Sequence, residues 1–452
     1  MAHPTSVKRC AAACVAAAVL GIGVLEAAAQ DLTRVNQDEL ASFYGRMNVV
    51  VGSGARAFGM GGAFLARADD ATAASWNPAG LSYLRRLEFS LVGAHNDFAQ
   101  KIPRVSASFP VTTTDQLRGS VADFAGVAYP LRIKERSGAI QFSYQRSFSF
   151  SGSRRSAGTI DDAGFTVEGK GGFDTLSLSS GFEVHPKVRL GLSLNRLVNG
   201  FSQTVSRPRR QVGSDWRISG TNVHFGVLLT PTPALNLGAV LKTPFRAHVL
   251  LTKDRQDSET SNRGSGEVRI RFPRVYGVGT SYRATNTVTL SADFTRTAWS
   301  QADITGFFSL AQKNDGDPSI DYYPTLPFPG VEFGANGQRD TNQVRIGVEW
   351  VLRIGQSGNV LIPLRSGLFR DGQPVTGLLN GPGALASARP TFSGFTMGVG
   401  VTVGGALFDL AYIRESGTVP ASRQGNGIAD DQTRVRYNRL FASVMLRLGQ
   451  RR

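Results

Sequence analysis

The first residues that could do chemistry form the glycine-rich stretch 48–81, which reads NVVVGSGARAFGMGGAFLARADDATAASWNPAGL. Dinucleotide-binding loops begin in a similar way, because glycine lets the backbone approach a pyrophosphate closely. The spacing G-x-G-x-x-G/A is met only weakly from Gly52, with Ala57 in third place, and fails from Gly59, with Phe64 there. No alternation of strands and helices follows, and the motif G-x-x-x-x-G-K-[ST] is absent. The stretch is therefore not predicted to be a phosphate cradle.

Histidine and cysteine supply most nucleophilic and metal-binding side chains, and here they form no motif. After residue 29 the chain has no cysteine, and its histidines are His95, His185, His224 and His248. None lies in a nucleophile motif or at the spacing of a zinc site. The sequence thus predicts no catalytic residue, no metal site, no cofactor and no enzyme activity.

The first 29 residues have the layout of a signal peptide. Lys8 and Arg9 form a basic region, an apolar run covers 11–25, and three alanines at 27–29 precede Gln30. Cys10 and Cys14 both lie inside this segment. We therefore expect an exported chain that begins near Gln30 and has no disulfide.

The formal net charge of +16 would ordinarily suggest a nucleic-acid partner. Export and the scatter of arginine along the chain argue against that partner, and contact with anionic lipid headgroups suits the charge better. No later stretch reaches eighteen apolar residues, so no membrane-spanning helix is expected. Membrane-spanning β-strands need only about ten residues each and leave a much weaker hydropathy trace.

From Arg86 onward the apolar residues recur with a period of two. In the stretches 188–194 and 344–350 every second residue is apolar, and polar or small residues alternate with them. Such alternation predicts strands with one apolar and one polar face. We predict fourteen strands, near 86–97, 121–130, 137–150, 172–184, 187–200, 218–230, 234–251, 267–282, 286–301, 342–353, 358–370, 391–402, 405–415 and 435–448.

The predicted connections alternate between tight turns and long polar or glycine- and proline-rich loops, which is the layout of a transmembrane β-barrel. An even number of antiparallel strands also closes without an unpaired edge. In such a barrel the lumen receives the polar residues, among them Arg189, Asp293, Arg345, Glu349 and Arg447. A soluble β-sandwich is the alternative, but it has no reason to sort its loops by length.

Residues 30–85 do not read as barrel wall. The run 63–75 is rich in alanine and other helix formers, and Asn77-Pro78 ends any helix there. Gly59, Gly61 and Gly62 permit close backbone approach and left-handed turns. We expect a compact, partly helical plug, because a fourteen-stranded barrel is wide enough to conduct water unless it is filled.

At this point the residues resemble a known family. The segment 54–64, the Ala-Asp-Asp-Ala element at 68–71 and the Trp-Asn-Pro-Ala-Gly-Leu element at 76–81 are similar to the N-terminal hatch of FadL/TodX-type outer-membrane transport proteins. The stretches 272–300 and 363–369 resemble later parts of that family. The resemblance implies an all-β fold, a fourteen-stranded antiparallel transmembrane β-barrel, with a small, partly helical hatch inside the lumen. The implied domains are a signal peptide (1–29), a hatch (30–85) and a barrel (86–452).

The resemblance also implies a function, namely uptake of hydrophobic molecules such as long-chain fatty acids or aromatic hydrocarbons. In that family the hatch moves and the ligand leaves sideways at an inward kink of the third strand. The residues assigned to hatch gating are Asn77, Pro78, Ala79, Asp69, Asp70, Gly59, Gly61 and Gly62. Expected partners are a hydrophobic ligand, outer-membrane lipid and lipopolysaccharide, with no nucleic acid and a monomeric state. A structural or shuttle barrel serving protein secretion or surface attachment is the alternative.

Arg146 interrupts the lipid-facing parity of the third strand, 137–150. A charge facing lipid is costly near the bilayer midplane and much less so near its edge. Arg146 therefore either marks a bulge behind a lateral opening or extends its side chain to the outer rim. Its late position in an outward-running strand favours the rim.

The sequence departs from the family pattern in two regions. The connections 201–217 and 252–266 are short and charged, where the family tends to have longer apolar loops. The apolar long connection is 302–341 instead, and we predict it to be a hydrophobic docking loop. Its candidate docking residues are Phe307, Phe308, Tyr322, Tyr323, Phe328 and Phe333. The alternative is that they only pack the loop onto the barrel mouth. The C-terminal strand is followed by Gly-Gln-Arg-Arg and lacks a terminal aromatic residue.

Overall fold

The computed structural model describes residues 52–105, 110–156, 165–208, 210–257, 261–313, 325–332, 340–354, 360–373, 390–420 and 432–449. Its first part is a short non-barrel segment, residues 52–86. This segment contains helix α1 (Ala55–Gly59), helix α2 (Ala73–Trp76) and a 3₁₀ helix, η1 (Pro78–Tyr83). A second 3₁₀ helix, η2 (Trp299–Gln301), interrupts the barrel wall.

All the strands belong to one antiparallel sheet, and the first strand pairs with the last, so the sheet closes into a barrel. The strands are β1 (Leu87–Val105), β2 (Pro110–Ile133), β3 (Arg136–Ser149), β4 (Gly152–Ser156), β5 (Phe165–His185), β6 (Val188–Val198), β7 (Gly200–Arg207), β8 (Arg210–Thr232), β9 (Leu235–Lys242), β10 (Phe245–Asp257), β11 (Ser261–Phe272), β12 (Val275–Arg283), β13 (Val288–Thr297), β14 (Asp303–Lys313), β15 (Thr325–Glu332), β16 (Thr341–Ile354), β17 (Val360–Gly372), β18 (Thr391–Val403), β19 (Ala406–Pro420) and β20 (Gln432–Leu448).

Six pairs of consecutive segments each act as one wall strand, because both members pair with the same neighbours. These pairs are β3/β4, β6/β7, β9/β10, β11/β12, β13/β14 and β15/β16. The wall therefore has fourteen strands, as predicted. Short connections lie at one end, where β1 begins and β20 finishes, at 134–135, 186–187, 233–234, 284–287 and 404–405.

The opposite end differs from the prediction, because the strands continue far beyond the predicted boundaries. The connections 201–217 and 252–266 are not loops but strand hairpins, formed by β7 with β8 and by β10 with β11. Residues 303–313 and 325–332 of the predicted docking loop likewise pair as β14 and β15. The alternation of apolar residues stops where a hairpin no longer faces lipid, but backbone pairing does not need an apolar face and can continue.

The two faces of the wall have opposite chemistry. Large apolar side chains are exposed on the outer face of strand after strand, including Leu91, Phe142, Leu178, Phe225, Val278, Leu290, Ile346, Leu368, Met397 and Leu410. The alternate side chains point inward, and the predicted lumen residues Arg189, Asp293, Arg345 and Glu349 are all buried. A continuous apolar band of this extent is far larger than soluble proteins expose, so the barrel is a membrane barrel with a polar lower lumen.

Among the residues that the structure describes, no helix is long and apolar enough to cross a membrane.

Candidate functional site

The segment 52–86 lies inside the barrel, and we call it the hatch. It contacts strands on every side of the lumen: Ser53 donates to Asp123 on β2, Gln141 on β3 donates to the carbonyl of Ala71, and Asp293 on β13 accepts from two hatch amides. Thr396 on β18 donates to Gly59 O and accepts from Gly61 N, both at 2.9 Å. A plug linked to so many strands fills the lower lumen.

The helices of the hatch are shorter than its composition suggested. The alanine-rich run 63–75 is not one helix, because residues 63–72 form successive turns and only α2 is helical. Asp70 Oδ1 accepts from the amide and the hydroxyl of Thr72, at 2.9 and 2.6 Å. Such local bonds compete with the helix, and wall contacts satisfy other backbone groups of this run.

Asn77 ties the hatch both to itself and to the wall. Its Nδ2 donates to the carbonyl of Leu65 at 2.9 Å and to the carbonyl of Val227, on β8, at 3.0 Å. Its Oδ1 accepts from Ala79 N at 3.2 Å and so begins η1, with Pro78 in the first turn. The predicted gating trio thus forms a cap that is anchored to β8.

Asp69 and Asp70 belong to a buried ion network. Arg56 in α1 lies 2.6 Å from Asp69 and 3.1 Å from Asp70. Arg67 lies 2.5 Å from Glu349 of the wall. Burial disfavours the charged form of Asp69, but the positive charges of Arg56 and Arg67 outweigh it and hold the pKa below its usual value.

The network continues into the wall. Glu349 also accepts from Arg365 at 2.7 Å, and Arg365 reaches Asp409 at 2.5 Å. Glu349 and Arg365 are each only 3% exposed, so neither charge is screened well by water. The hatch is therefore held by charge as well as by shape.

The wall approaches the hatch through a row of inward-facing glycines, which we call the glycine belt: Gly181, Gly191, Gly226, Gly238, Gly347, Gly367 and Gly398. A Cβ at Gly191 would overlap the backbone of Pro78 and Ala79, and one at Gly347 would overlap the backbone of Met60. Glycine is required here because two backbones meet directly.

The three hatch glycines predicted to serve gating lie at the same interface. Gly61 and Gly62 have φ of 70° and 75°, the left-handed region that favours glycine, and form the turn after α1. Gly59 lies against Gly398 of the belt. Their structural role is a tight turn pressed onto the wall, and a part in gating stays a prediction.

Above the hatch, toward the long hairpins, the lumen is lined by aromatic and aliphatic side chains instead of polar ones. We call this set the lumenal aromatic cluster: Phe148, Phe150, Phe173, Leu197, Phe201, Trp216, Ile218, Phe245, Val249, Phe272 and Trp299. Phe201 stacks on Phe150 and Trp216, with ring centroids 3.9 and 5.5 Å apart, and Phe245 stacks on Phe272 at 4.7 Å. An apolar lumen suits apolar solutes, whereas water-filled channels keep a polar lumen.

A cavity of about 110 Å³ lies between α2 and this cluster. Its lining includes four aromatic side chains: Phe148, Phe245, Phe272 and Trp299. Polar side chains also line it: Gln145, Thr175, Asn195, Asn222, His224 and Lys242. The lining comes from seven neighbouring wall strands and from Ala74 and Ser75 of the hatch, so moving the hatch would open the cavity from below.

The structure places Arg146 at an irregularity of β3. The register between β3 and β5 shifts between Arg146 and Phe148, which marks a bulge. Arg146 is mostly buried and its Nε lies 2.5 Å from Asp174, which also accepts from Tyr144. The side chain therefore pairs with a buried carboxylate and does not extend to the rim. Beyond the bulge, Phe148 and Phe150 face the lumen, whereas the alternation of the third strand predicts that they face lipid like Phe142.

The predicted docking residues divide into two groups. Phe307, Phe308 and Phe328 lie in the hairpin of β14 and β15, where Phe307 pairs with Pro327 and Phe328 with Gly306. Tyr322, Tyr323 and Phe333 lie outside the described residues.

Sequence reasoning did not find the lumenal aromatic cluster. Two signals were present: phenylalanines next to strand interruptions, such as Phe201 and Phe245, and the parity change after Arg146. Within the described ranges, no three histidine, cysteine, aspartate or glutamate side chains are grouped closely enough to hold a metal ion.

A closed antiparallel barrel with an apolar exterior and an inserted N-terminal segment defines a plugged membrane β-barrel. No protein-family model and no curated protein sequence matches this chain. Solved structures do match: a Pseudomonas aeruginosa FadL homologue has 14% identity and a TM-score of 0.60, covering 89% of this chain and 99% of its own.

Two toluene transporters match over a similar extent. TbuX of Ralstonia pickettii has 16% identity and a TM-score of 0.56, covering 88% of this chain and 99% of its own. TodX of Pseudomonas putida has 12% identity and a TM-score of 0.53, covering 88% and 98%. The chain therefore has the fold of FadL/TodX-type proteins, and the resemblance seen in the hatch motif is confirmed at the level of the fold.

Proposed function

We propose that this protein is an outer-membrane channel that takes up hydrophobic molecules. The observation that carries the proposal is the aromatic-lined cavity directly above a plug, inside a barrel whose exterior suits lipid. Transfer of an apolar solute from water to such a lining lowers the free energy. The barrel also spares it the polar lipopolysaccharide layer. Transport of toluene by two proteins of the same fold supports the same class of function.

The proposed route runs from the hairpin end, through the lumenal aromatic cluster, to the cavity. Asn77-Pro78-Ala79 and the ion network of Asp69 and Asp70 hold the hatch in place. Displacement of the hatch then releases the ligand. The bulge at Arg146 is the proposed lateral opening, because a register shift interrupts the ladder of the wall there. A lateral exit would deliver an apolar ligand into lipid without passage through periplasmic water.

Several further expectations belong to this proposal. They are removal of residues 1–29 on export, residence in a Gram-negative outer membrane with lipid and lipopolysaccharide as neighbours, a hatch that starts at residue 30, and a monomeric state. The hairpin of β14 and β15 is the proposed docking surface, supported by the phenylalanines in its sequence. Replacing Phe307, Phe308 and Phe328 by serine would then slow uptake, whereas unchanged uptake would remove the docking role.

The test of the main proposal uses neighbouring positions on β8. Asn222 lines the cavity, whereas Thr221 lies on the exposed face of the same strand. The full chain is expressed in a Gram-negative host that lacks its own channels of this kind, and uptake of radiolabelled laurate, toluene and benzoate is measured. We expect uptake severalfold above the empty vector, abolished by Asn222→Trp, which fills the cavity, and retained by Thr221→Trp.

Equal uptake with and without the chain would contradict the proposal. If, in addition, exported proteins copurified with the barrel and no ligand occupied the lumen, the structural or shuttle barrel would be the better account.

A further inference from the structure

We infer that the cavity above the hatch selects single-ring aromatic carboxylic acids, of which benzoate is the simplest. The inference rests on the proposed uptake function and adds the chemical class of the ligand. Three independent properties of the cavity lead to it, namely its size, the arrangement of its aromatic walls and the charge of its polar lining residues.

The size of the cavity favours one ring. Its volume of about 110 Å³ is of the same order as that of a closed, engineered protein cavity of roughly 150 Å³ that binds benzene, and because this cavity is partly open a substituent on the ring can extend out of it. An extended long acyl chain needs a longer space.

The aromatic walls provide the faces that a ring prefers. Phe245 and Phe272 stack almost in parallel, with 3° between their planes, and Phe148 lies 6.2 Å from Phe272. Trp299 of η2 also lines the cavity. Aromatic rings interact favourably in offset or edge-on arrangements at centroid distances of about 4.5–7 Å. The ring of a ligand can therefore pack against these side chains in the same way.

The polar residues that line the cavity include a lysine and a histidine. Lys242 on β9 and His224 on β8 are directly opposite each other in the register, and both line the cavity. No aspartate or glutamate is among the lining residues. The ammonium group of a lysine has three donors, so it can bind a ligand carboxylate in addition to its protein contacts. A hydrogen bond between two charged groups in such surroundings is stronger than one between neutral groups.

Asn222 is a second sign that a polar ligand group belongs here. Its Oδ1 is buried without a hydrogen-bond partner among the described residues, and its Nδ2 lies 3.4 Å from His224 Nε2. An unsatisfied buried acceptor is costly, and a ligand hydroxyl would satisfy it. The class of ligand therefore includes ring-hydroxylated aromatic acids, whose hydroxyl can donate to this acceptor while the carboxylate accepts from Lys242.

The test measures binding by isothermal titration to the full chain purified in detergent micelles, with empty micelles subtracted. The probes are benzoate, toluene and laurate. The diagnostic variant is Lys242→Met, which keeps the length of the side chain and removes its charge. The matched control is Lys187→Met, because Lys187 is exposed in the turn between β5 and β6. Lys242→Gln is the second variant if Lys242→Met does not fold, as judged by its heat-dependent gel migration.

We expect benzoate to bind more tightly than toluene or laurate, with affinity reduced at least about tenfold by loss of the Lys242 charge and unchanged by Lys187→Met. Toluene binding is expected to be insensitive to both. Benzoate binding that ignores the Lys242 variants, or preferential binding of toluene or laurate, would overturn the inference. Cellular uptake of toluene or laurate without benzoate binding would overturn only the ligand class. Benzoate binding without uptake of any probe would instead remove the transport function.

Discussion

The first prediction concerns the seating of the hatch and uses Asn77→Ala. The substitution removes three hydrogen bonds, two from Nδ2 to the carbonyls of Leu65 and Val227 and one from Ala79 N to Oδ1. Only the bond to Val227 joins the hatch to the wall, so at about 1 kcal/mol of net stabilisation per bond the seated hatch loses about 1 kcal/mol relative to a hatch that is released intact. Since 1.4 kcal/mol corresponds to a factor of ten, the population of the released hatch rises about fivefold.

The measurement is single-channel conductance in planar bilayers. The seated hatch fills the lower lumen, so the wild-type protein is expected to be closed for nearly all of the recording. Asn77→Ala is expected to show more frequent open events. The control is Asn342→Ala, because Asn342 is exposed on the outer face of β16, and it is expected to behave like wild type.

A folded Asn77→Ala protein with wild-type conductance would refute the reasoning. It would mean that the hatch stays seated without this anchor, or that its release does not open a path for ions. Both results would remove Asn77 from the proposed gate.

Three further predictions follow from the hatch interface and the bulge. Gly347→Ala places a methyl group against the backbone of the hatch and is expected to raise open-channel conductance. The control Gly93→Ala, in which the nearest atom would be an ordinary 3.9 Å from the new methyl group, is expected to leave the conductance unchanged. Equal conductance of the two variants would show that the glycine belt is not needed. Glu349→Ala removes a carboxylate shared by Arg67 and the buried Arg365, which keep Asp69 and Asp409; we expect a loss of stability of up to about 3–5 kcal/mol, measured by urea unfolding, with no loss for the exposed Glu135→Ala. Arg146→Met removes the cation beside a buried carboxylate and is expected to lower the unfolding midpoint in the same assay; an unchanged midpoint would show that the pair is not stabilising.

The strand count was accessible from local pattern. A membrane strand must present apolar side chains to lipid on one face. This requirement produces the alternation of apolar residues with a period of two in stretches such as 188–194 and 344–350. The ends of the strands at the hairpin side were not accessible. Where a strand no longer faces lipid neither face has to be apolar, so backbone pairing can extend β7, β14 and β15 without an alternation of apolar residues in the sequence.

The hatch was found through its motif, but its contacts were not. Asn77 and Arg56 could be assigned to a plug, yet nothing near them in the chain indicated that Asn77 binds Val227, 150 residues away, or that Arg56 pairs with Glu349. The glycine belt was equally hidden, because a glycine such as Gly191 reads locally as one more small residue facing a lumen. Its necessity becomes visible only when the backbone of Ala79 lies against it.

The fourteen strands, the polar lumen residues and the plug could be predicted from the sequence alone, because each is marked by a local pattern or motif in the chain. The register shift at Arg146, the inward turn of Phe148 and Phe150, and the cavity between His224, Lys242 and Trp299 depend on closure of the barrel. Closure brings seven strands around one point and decides which side of each faces it. The ligand site is a product of that closure, and for this reason no single stretch of the sequence contains it.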